Sequence, residues 1–83
     1  MRVRYFAWVR ERVGRAEEEV TPPSHVASVA DLIAWLSERD EGYAAAFAEP
    51  QVIRAALDWV HVGQDAALGG VREVAFFPPM TGG

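Results

Sequence analysis

A short amphipathic stretch near the middle of the chain limits the fold more than any other feature. Apolar side chains recur there at intervals of three and four residues and so share one face of a helix: Val29, Leu32, Ile33 and Leu36. Ser28 is placed as the N-cap, and Asp31 follows three residues later as in a capping box. We therefore predict a helix over about 29–39, ended by Gly42, whose apolar face must be covered by a second layer.

Strand patterns on both sides of this helix supply that second layer. Alternating or apolar β-prone segments stand at 2–9, 16–20, 52–62 and 71–77. The other elements expected are a helical turn at 10–14, a short second helix at 43–48 and a loop at 63–70. The order strand, strand, helix, strand, strand predicts an α+β roll, in which a mixed sheet packs on one main helix. If the first and last strands lie side by side, they are parallel and central, which suits their apolar faces.

The composition excludes several classes of protein. With 83 residues the chain forms one domain, and with no cysteine it has neither a disulfide framework nor a thiol nucleophile. A net charge of −4 argues against nucleic-acid binding. No apolar run is long enough to cross a membrane, and the N-terminus does not look like a secretory signal, so we expect a cytoplasmic protein. His25 and His61 lack ligand-like spacing, and we expect no metal site.

The end of the chain is its most informative segment, because residues 74–83 carry no charged side chain. The prolines at 78–79 cannot continue a sheet, which predicts a folded domain over 1–77 and an extended arm over 78–83. The arm finishes in two glycines, which lack Cβ atoms and suit a backbone that must thread a narrow channel. Such an arm is suited to carrying a C-terminal carboxylate into a partner enzyme.

Three stretches make the sequence similar to a known family. They lie at 5–14, 29–36 and 73–83 and read YFAWVRERVG, VADLIAWL and EVAFFPPMTGG. On these residues the chain resembles the MoaD-type sulfur carriers, the small subunits of molybdopterin synthase, within the ubiquitin-like β-grasp superfamily. The likeness covers essentially the whole chain and implies a β-grasp fold. Two positions depart from the family pattern and concern turn geometry, namely Asp58, where asparagine is common, and the turn at 68–71.

The resemblance also implies a chemistry for the chain terminus. An adenylating enzyme would use ATP to convert the Gly83 carboxylate into an acyl adenylate, and a sulfur donor would replace AMP to leave a thiocarboxylate. The tail would then enter the large catalytic subunit of a hetero-oligomer, where the sulfur attacks a cyclic pyranopterin precursor to build the molybdopterin dithiolene. The chain itself would bind no cofactor. The residues implied to thread the large subunit are Pro78, Pro79, Met80, Thr81 and Gly82.

Two alternatives stay open at the level of the sequence. The same activated terminus suits the delivery of sulfur to another acceptor, such as a thiazole, cysteine or tRNA. It also suits a ubiquitin-like modifier or binding module, in which Gly83 forms an amide with a target lysine. An enzyme that acts alone is not expected, because the sequence holds no phosphate-binding glycine loop and no Ser/His/Asp set.

Side chains for a partner interface are chosen from the strand pattern. Phe76 and Phe77 point in opposite directions along a strand, so at most one enters the core and the other is a candidate contact. Arg10 is a further candidate, because arginine is enriched at protein interfaces. The three glutamates at 17–19 are interpreted as a solvated edge strand.

Overall fold

The computed structural model describes residues 1–79, which form a five-stranded mixed sheet and three helices around one core. The strands are β1 (Arg2–Tyr5), β2 (Glu17–Glu19), β3 (Arg54–Leu57), β4 (Val60–Val62) and β5 (Glu73–Phe77). The helices are α1 (Ala7–Val13), α2 (Val29–Ser37) and α3 (Glu41–Ala46), followed by a 3-10 turn at Pro50–Val52. The predicted combination of a mixed sheet with helices is confirmed, with one strand and one helix more than the sequence pattern suggests.

The first and last strands form the centre of the sheet. The strand order is β2-β1-β5-β3-β4, and β1 pairs with β5 in parallel while the other neighbours are antiparallel. Val3 lies opposite Val74 and Tyr5 opposite Phe76, and all four side chains are at most 1% exposed. The prediction of parallel, central terminal strands is therefore confirmed. Because β5 is central, the residues that follow it leave the sheet from its middle.

Helix α2 begins as predicted. The Ser28 hydroxyl accepts the N–H of Asp31 at 3.2 Å, and the Asp31 carboxylate accepts the N–H of Ser28 at 3.2 Å. The helix ends at Ser37, and the prediction that Gly42 ends it is wrong. Gly42 lies in the first turn of α3, where a Cβ atom would come within 2.6 Å of the carbonyl oxygen of Arg12. That glycine permits close packing between α3 and the end of α1.

The first strand is shorter than its pattern suggests, and the prediction of a strand over 2–9 is wrong beyond Tyr5. The chain bends at Phe6, whose N–H still donates to the carbonyl of Phe76 at 3.0 Å. Ala7 then takes a positive φ of 52° and begins α1. The bend leaves the Phe6 side chain 40% exposed beside the end of β5.

The remainder of the segment predicted as a strand, residues 7–9, forms the first turn of helix α1. Val9 and Val13 are buried at helical spacing, and no longer alternate as strand residues would. The helix ends at Gly14, which adopts a left-handed φ of 91°. The glycine stop predicted for the segment 10–14 is confirmed, although the helix begins three residues before it.

The apolar segment at 52–62 contains a hairpin of β3 and β4 where the pattern predicts one strand. Asp58 and Trp59 connect the two strands with positive φ values of 47° and 72°. This pair of left-handed residues matches the twist of a two-residue hairpin. The Asp58 carboxylate accepts the N–H groups of Arg72 at 3.1 Å and Glu73 at 2.9 Å, which ties the turn to the start of β5.

The turn that precedes β5 is built around glycine. The N–H of Val71 donates to the carbonyl of Leu68 at 3.0 Å, and Gly70 between them has a φ of 78°. A β-turn with a positive φ at its third residue requires glycine or asparagine there. The chain therefore forms regular turns at both positions that depart from the family pattern, Asp58 and residues 68–71.

The middle glutamate of β2, Glu18, differs from its two exposed neighbours because its side chain is largely covered. Its carboxylate accepts the hydroxyls of Tyr5 at 2.7 Å and Tyr43 at 2.6 Å, and the guanidinium groups of Arg15 and Arg39 at 3.2 Å each. The Glu18 side chain is 7% exposed. The interpretation of β2 as an edge strand is confirmed, but its interpretation as fully solvated is wrong at this residue, because Glu18 faces the core side of the sheet.

Candidate functional site

One face of the sheet carries no helix, and we call it the open face; charged side chains such as Arg4 and Glu73 lie on it, and an apolar patch lies among them. It holds a shallow cavity of about 280 Å³. The residues that line this cavity come from three strands and two adjoining bends: Phe6, Ala56, Trp59, His61, Ala75 and Phe77. None of the six carries a carboxylate, an amine or a guanidinium group, so the cavity is suited to an apolar protein surface rather than to a charged ligand.

The structure separates the two neighbouring phenylalanines of β5. Phe76 is fully buried, with its ring 5.4 Å from that of Phe47 and 6.4 Å from that of Tyr5. Phe77 points to the open face, where its ring centroid lies 5.1 Å from that of His61. The prediction that at most one of the pair enters the core is confirmed. Phe77 is the member of the pair that a partner can contact.

Trp59 extends the open face at its other end. It is 73% exposed, although tryptophan is the largest apolar side chain. The guanidinium carbon of Arg4 lies 5.6 Å from the centre of its ring, and Arg4 Nε donates to Glu73 Oε1 at 3.0 Å. Sequence analysis missed this residue. The signal was the Asp58-Trp59 pair between two apolar runs, which is consistent with a two-residue hairpin turn.

Phe6 and His61 also line the open-face cavity, and neither is among the predicted interface residues. Phe6 follows directly after β1 and lies on the face of Arg4, where the alternation of a strand would also place it. His61 lies opposite Ala56 across the β3–β4 hairpin, and Ala56 lies opposite Ala75 of β5. The small side chains of these alanines, on the neighbouring strands β3 and β5, leave room between the larger side chains.

The C-terminal arm starts at the edge of this cavity. β5 ends at Phe77, and Pro78 and Pro79 follow it, both half-buried. Phe6 adjoins this point, because its N–H bonds to the carbonyl of the preceding residue, Phe76. The predicted threading residues that follow, and the predicted reactive residue, lie outside the described part of the chain: Met80, Thr81, Gly82 and Gly83.

Arg10 lies on a different surface. It is exposed on α1 and does not line the open-face cavity. The neighbouring Arg12 places its guanidinium carbon 4.2 Å from the centre of the Trp8 ring, at a separate cleft between α1 and α3. The structure therefore does not bring Arg10 together with Phe77, and its role at an interface stays a prediction.

The surroundings of the Glu18 carboxylate change its pKa. Burial raises the pKa of Glu18, but the hydrogen bonds from Tyr43 and Tyr5 and the charges of Arg39 and Arg15 lower it by more. The net result is a pKa below the usual range of a glutamate. Burial, followed by the hydrogen bond to Glu18, raises the pKa values of both tyrosines. Glu18 and its two tyrosine partners lie on the helix side of the sheet. They therefore contribute to the stability of the fold and not to the open face.

Two features are absent from residues 1–79. No group of three or more His, Cys, Asp or Glu side chains lies close enough there to hold a metal ion. No helix in that part of the chain has the length and apolarity required to span a membrane.

Comparison with known proteins gives full-length matches. The pattern of the ThiS family matches residues 3–83. The chain is 35% identical to the molybdopterin synthase sulfur carrier subunit of Escherichia coli strain K12, over 100% of this chain and 99% of that protein. It is similar to a putative molybdopterin converting factor, subunit 1, from Pyrococcus furiosus, with a TM-score of 0.73 and 30% identity over 95% of each chain. SAMP1 from Haloferax volcanii has a similar fold, with a TM-score of 0.71 and 23% identity over 100% of this chain and 98% of that chain.

These matches agree with the architecture built up above. The neighbours share its mixed sheet and helices over nearly their whole length, which confirms the expected ubiquitin-like β-grasp fold. The family pattern and the E. coli relative both reach the last residue of the chain, so the likeness includes the arm as well as the domain. From the extent of both matches, we conclude that the chain belongs to the ThiS family of ubiquitin-like sulfur carriers.

Proposed function

We propose that this protein is the sulfur-carrier small subunit of molybdopterin synthase. The observation that carries the proposal is the full-length similarity, at 35% identity, to the E. coli subunit of that name. The P. furiosus protein, a putative molybdopterin converting factor, points to the same pathway. The FFPP-x-x-GG ending provides the residues that such a role requires.

The proposed chemistry takes place at the last residue. An adenylating enzyme joins the Gly83 carboxylate to the AMP of ATP and releases pyrophosphate. A donor of sulfide-level sulfur, hydrogen sulfide in the simplest case, then attacks the acyl carbon, AMP leaves with the electron pair of the acyl–oxygen bond, and Gly83 ends in a thiocarboxylate. The thiocarboxylate sulfur attacks the cyclic pyranopterin precursor, and water then cleaves the acyl–sulfur bond, which leaves the sulfur on the pterin and restores the Gly83 carboxylate. Two such rounds supply the two sulfurs of the dithiolene. This chain contributes the terminus and its presentation, while ATP binds to the adenylating enzyme.

The open face is proposed to dock the large catalytic subunit in a hetero-oligomer. Its support is the continuity between the apolar cavity and the arm, since Phe77 lines the cavity and the next residue is Pro78. A partner that receives Gly83 must approach the arm at its root. The prolines restrict the conformations of the free arm, which lowers the entropy lost when the arm becomes ordered.

The mass of the intact chain tests the carrier role. The purified protein, ending in its own Gly82-Gly83, is incubated with the adenylating enzyme, ATP and a sulfur source. We expect a mass gain equal to the exchange of one oxygen for sulfur, and fragmentation should place it on Gly83. A chain lacking Gly83 is the matched control and should gain nothing. The absence of any gain with an adenylating enzyme of verified activity would contradict the proposal.

A second experiment identifies the acceptor. The thiocarboxylated chain is mixed with the large subunit and the cyclic pyranopterin precursor, and the product is analysed for molybdopterin. Formation of molybdopterin supports the proposed acceptor. If sulfur is carried but no molybdopterin forms, the acceptor is another molecule. Amide-linked adducts on other proteins would instead indicate a modifier.

A further inference from the structure

Trp59 adopts a conformation that folding alone does not favour. Its φ of 72° lies in the left-handed region, where side chains bearing a Cβ are disfavoured and glycine is preferred. It also leaves 73% of its surface in water. Two-residue hairpins commonly place glycine at this second position. A large aromatic residue here loses folding free energy on both counts, which points to a use outside the fold.

The ring is nevertheless held in place. The Asp58 carboxylate anchors the turn to the backbone of β5 through the N–H groups of Arg72 and Glu73. The Arg4 guanidinium lies over the ring at 5.6 Å, and the ion pair with Glu73 fixes Arg4 in turn. A preorganised exposed aromatic loses little conformational entropy when a partner covers it.

The position of Trp59 relative to the arm identifies what covers it. Leu57 lies opposite Val74, so the hairpin turn that follows it lies beside Glu73, and Phe77 at the root of the arm is four residues further along β5. The hairpin turn and the arm root are therefore about 13 Å apart along the sheet. The six residues of the arm span at most about 20 Å, so the enzyme that receives Gly83 must lie close to Phe77. The cavity between Phe77 and Trp59 is continuous, and a partner seated at one end reaches the other.

We infer that Trp59 is a main binding contact for the large catalytic subunit and inserts into an apolar pocket on it. This inference rests on the proposed function. It identifies Trp59 as a residue of this chain that sets its affinity for the large subunit and its choice of partner. Trp59 does not touch the reacting terminus, so it is not a catalytic residue. Tryptophan is enriched among the few interface residues whose truncation removes most of the binding energy.

Substitution by glycine separates binding from folding. Trp59→Gly removes the ring and relieves the left-handed strain, so the melting temperature should stay unchanged or rise. The Kd for the large subunit, measured by titration calorimetry, should increase by about 30-fold or more. In the synthase assay the apparent KM for the carrier should rise in proportion, while kcat at saturating carrier should not change. A residue with only a structural role would instead lower the melting temperature.

Val60 provides the matched control. It is adjacent, apolar and 63% exposed, but it lies opposite Leu57 and so on the other face of the hairpin. Val60→Thr should leave the Kd within about twofold of the unchanged chain. An equal loss of affinity in this variant would overturn the assignment to the open face.

The remaining outcomes decide between occupants. If Trp59→Gly binds the large subunit within threefold of the unchanged chain, the inference is overturned. It is also overturned if Trp59→Gly weakens binding to the adenylating enzyme but not to the large subunit. A third overturning result is a dimer of the unchanged chain in sedimentation experiments that becomes a monomer in Trp59→Gly. If the unchanged chain does not bind the large subunit at all, the proposed function fails, and this result is distinct from a failure of Trp59.

Discussion

Removal of the Glu18 carboxylate tests the most heavily coupled group in the fold. Glu18→Ala leaves the hydroxyls of Tyr5 and Tyr43 without their acceptor, and Tyr5 is only 1% exposed. A hydrogen bond to a charged group contributes roughly 1.5–3 kcal/mol, whereas the ion pairs with the half-exposed Arg15 and Arg39 add less than about 1 kcal/mol each. We expect a loss of about 3–5 kcal/mol. The total free energy of unfolding of a chain of this length is about 4–12 kcal/mol, so the substitution removes a large part of it.

The assay is urea unfolding followed by tryptophan fluorescence. Glu17 and Glu19 are matched controls, because they flank Glu18 in the same strand with side chains 42% and 63% exposed. Their alanine variants should lose less than about 1 kcal/mol each. If Glu18→Ala unfolds completely, Glu18→Gln preserves the shape, and a double-mutant cycle with Tyr43→Phe measures the coupling. A Glu18→Ala loss no larger than that of Glu17→Ala would refute the reasoning.

Three other predictions concern pH, a close contact and a turn. Because the pKa of Glu18 is lower in the folded chain, its contribution to stability is fully present above about pH 4.5 and is lost as the pH falls through the folded pKa. Because the pKa values of Tyr5 and Tyr43 are raised in the folded chain, their contribution is present below about pH 10 and is lost as the pH rises beyond it. Urea midpoints across this range check both limits, and Glu18→Gln should flatten the acid limb. Gly42→Ala should cost roughly 1–3 kcal/mol, since its Cβ meets a backbone oxygen at 2.6 Å, while Gly69→Ala meets nothing within 4 Å and should be near neutral in the same assay. Asp58→Ala should cost about 1–3 kcal/mol by leaving two N–H groups without an acceptor, whereas Asp58→Asn should retain most of the stability in thermal unfolding.

Local patterns predicted the helical part of the fold well where one face was strictly apolar. The stripe and capping box of α2 are visible in nine residues of sequence, because a helix satisfies its own backbone and needs only neighbours three and four positions away. The same reasoning failed beyond Tyr5, where Phe6 to Val9 fits a strand as well as the start of a helix. It also failed at Gly42, whose role depends on a contact with α1.

The chemical end of the candidate site rests on residues that the sequence singles out, whereas at the docking end the sequence offered only the Phe76–Phe77 pair and not the other residues of the open face. Pro78, Pro79 and the two terminal glycines stand out from the sequence, because prolines and glycines restrict or free the backbone on their own. The open face does not stand out, because its six residues come from segments as far apart as Phe6 and Phe77. Only the pairing of β1 with β5, of β5 with β3 and of β3 with β4 makes them neighbours.

The sequence by itself determined the amphipathic helix, the presence of strands on both sides of it and the point at which the chain leaves the sheet. Tertiary structure alone decided which of two adjacent phenylalanines enters the core and which of three identical glutamates is buried. Phe76 and Glu18 are on the inner face because the register with β1 places them opposite Tyr5 and Val3. A strand has a period of two, so shifting its register by one residue exchanges its faces, and nothing local to FF or EEE selects between them. That selection comes from the buried neighbours, and it is what turns Phe77 outward beside the arm.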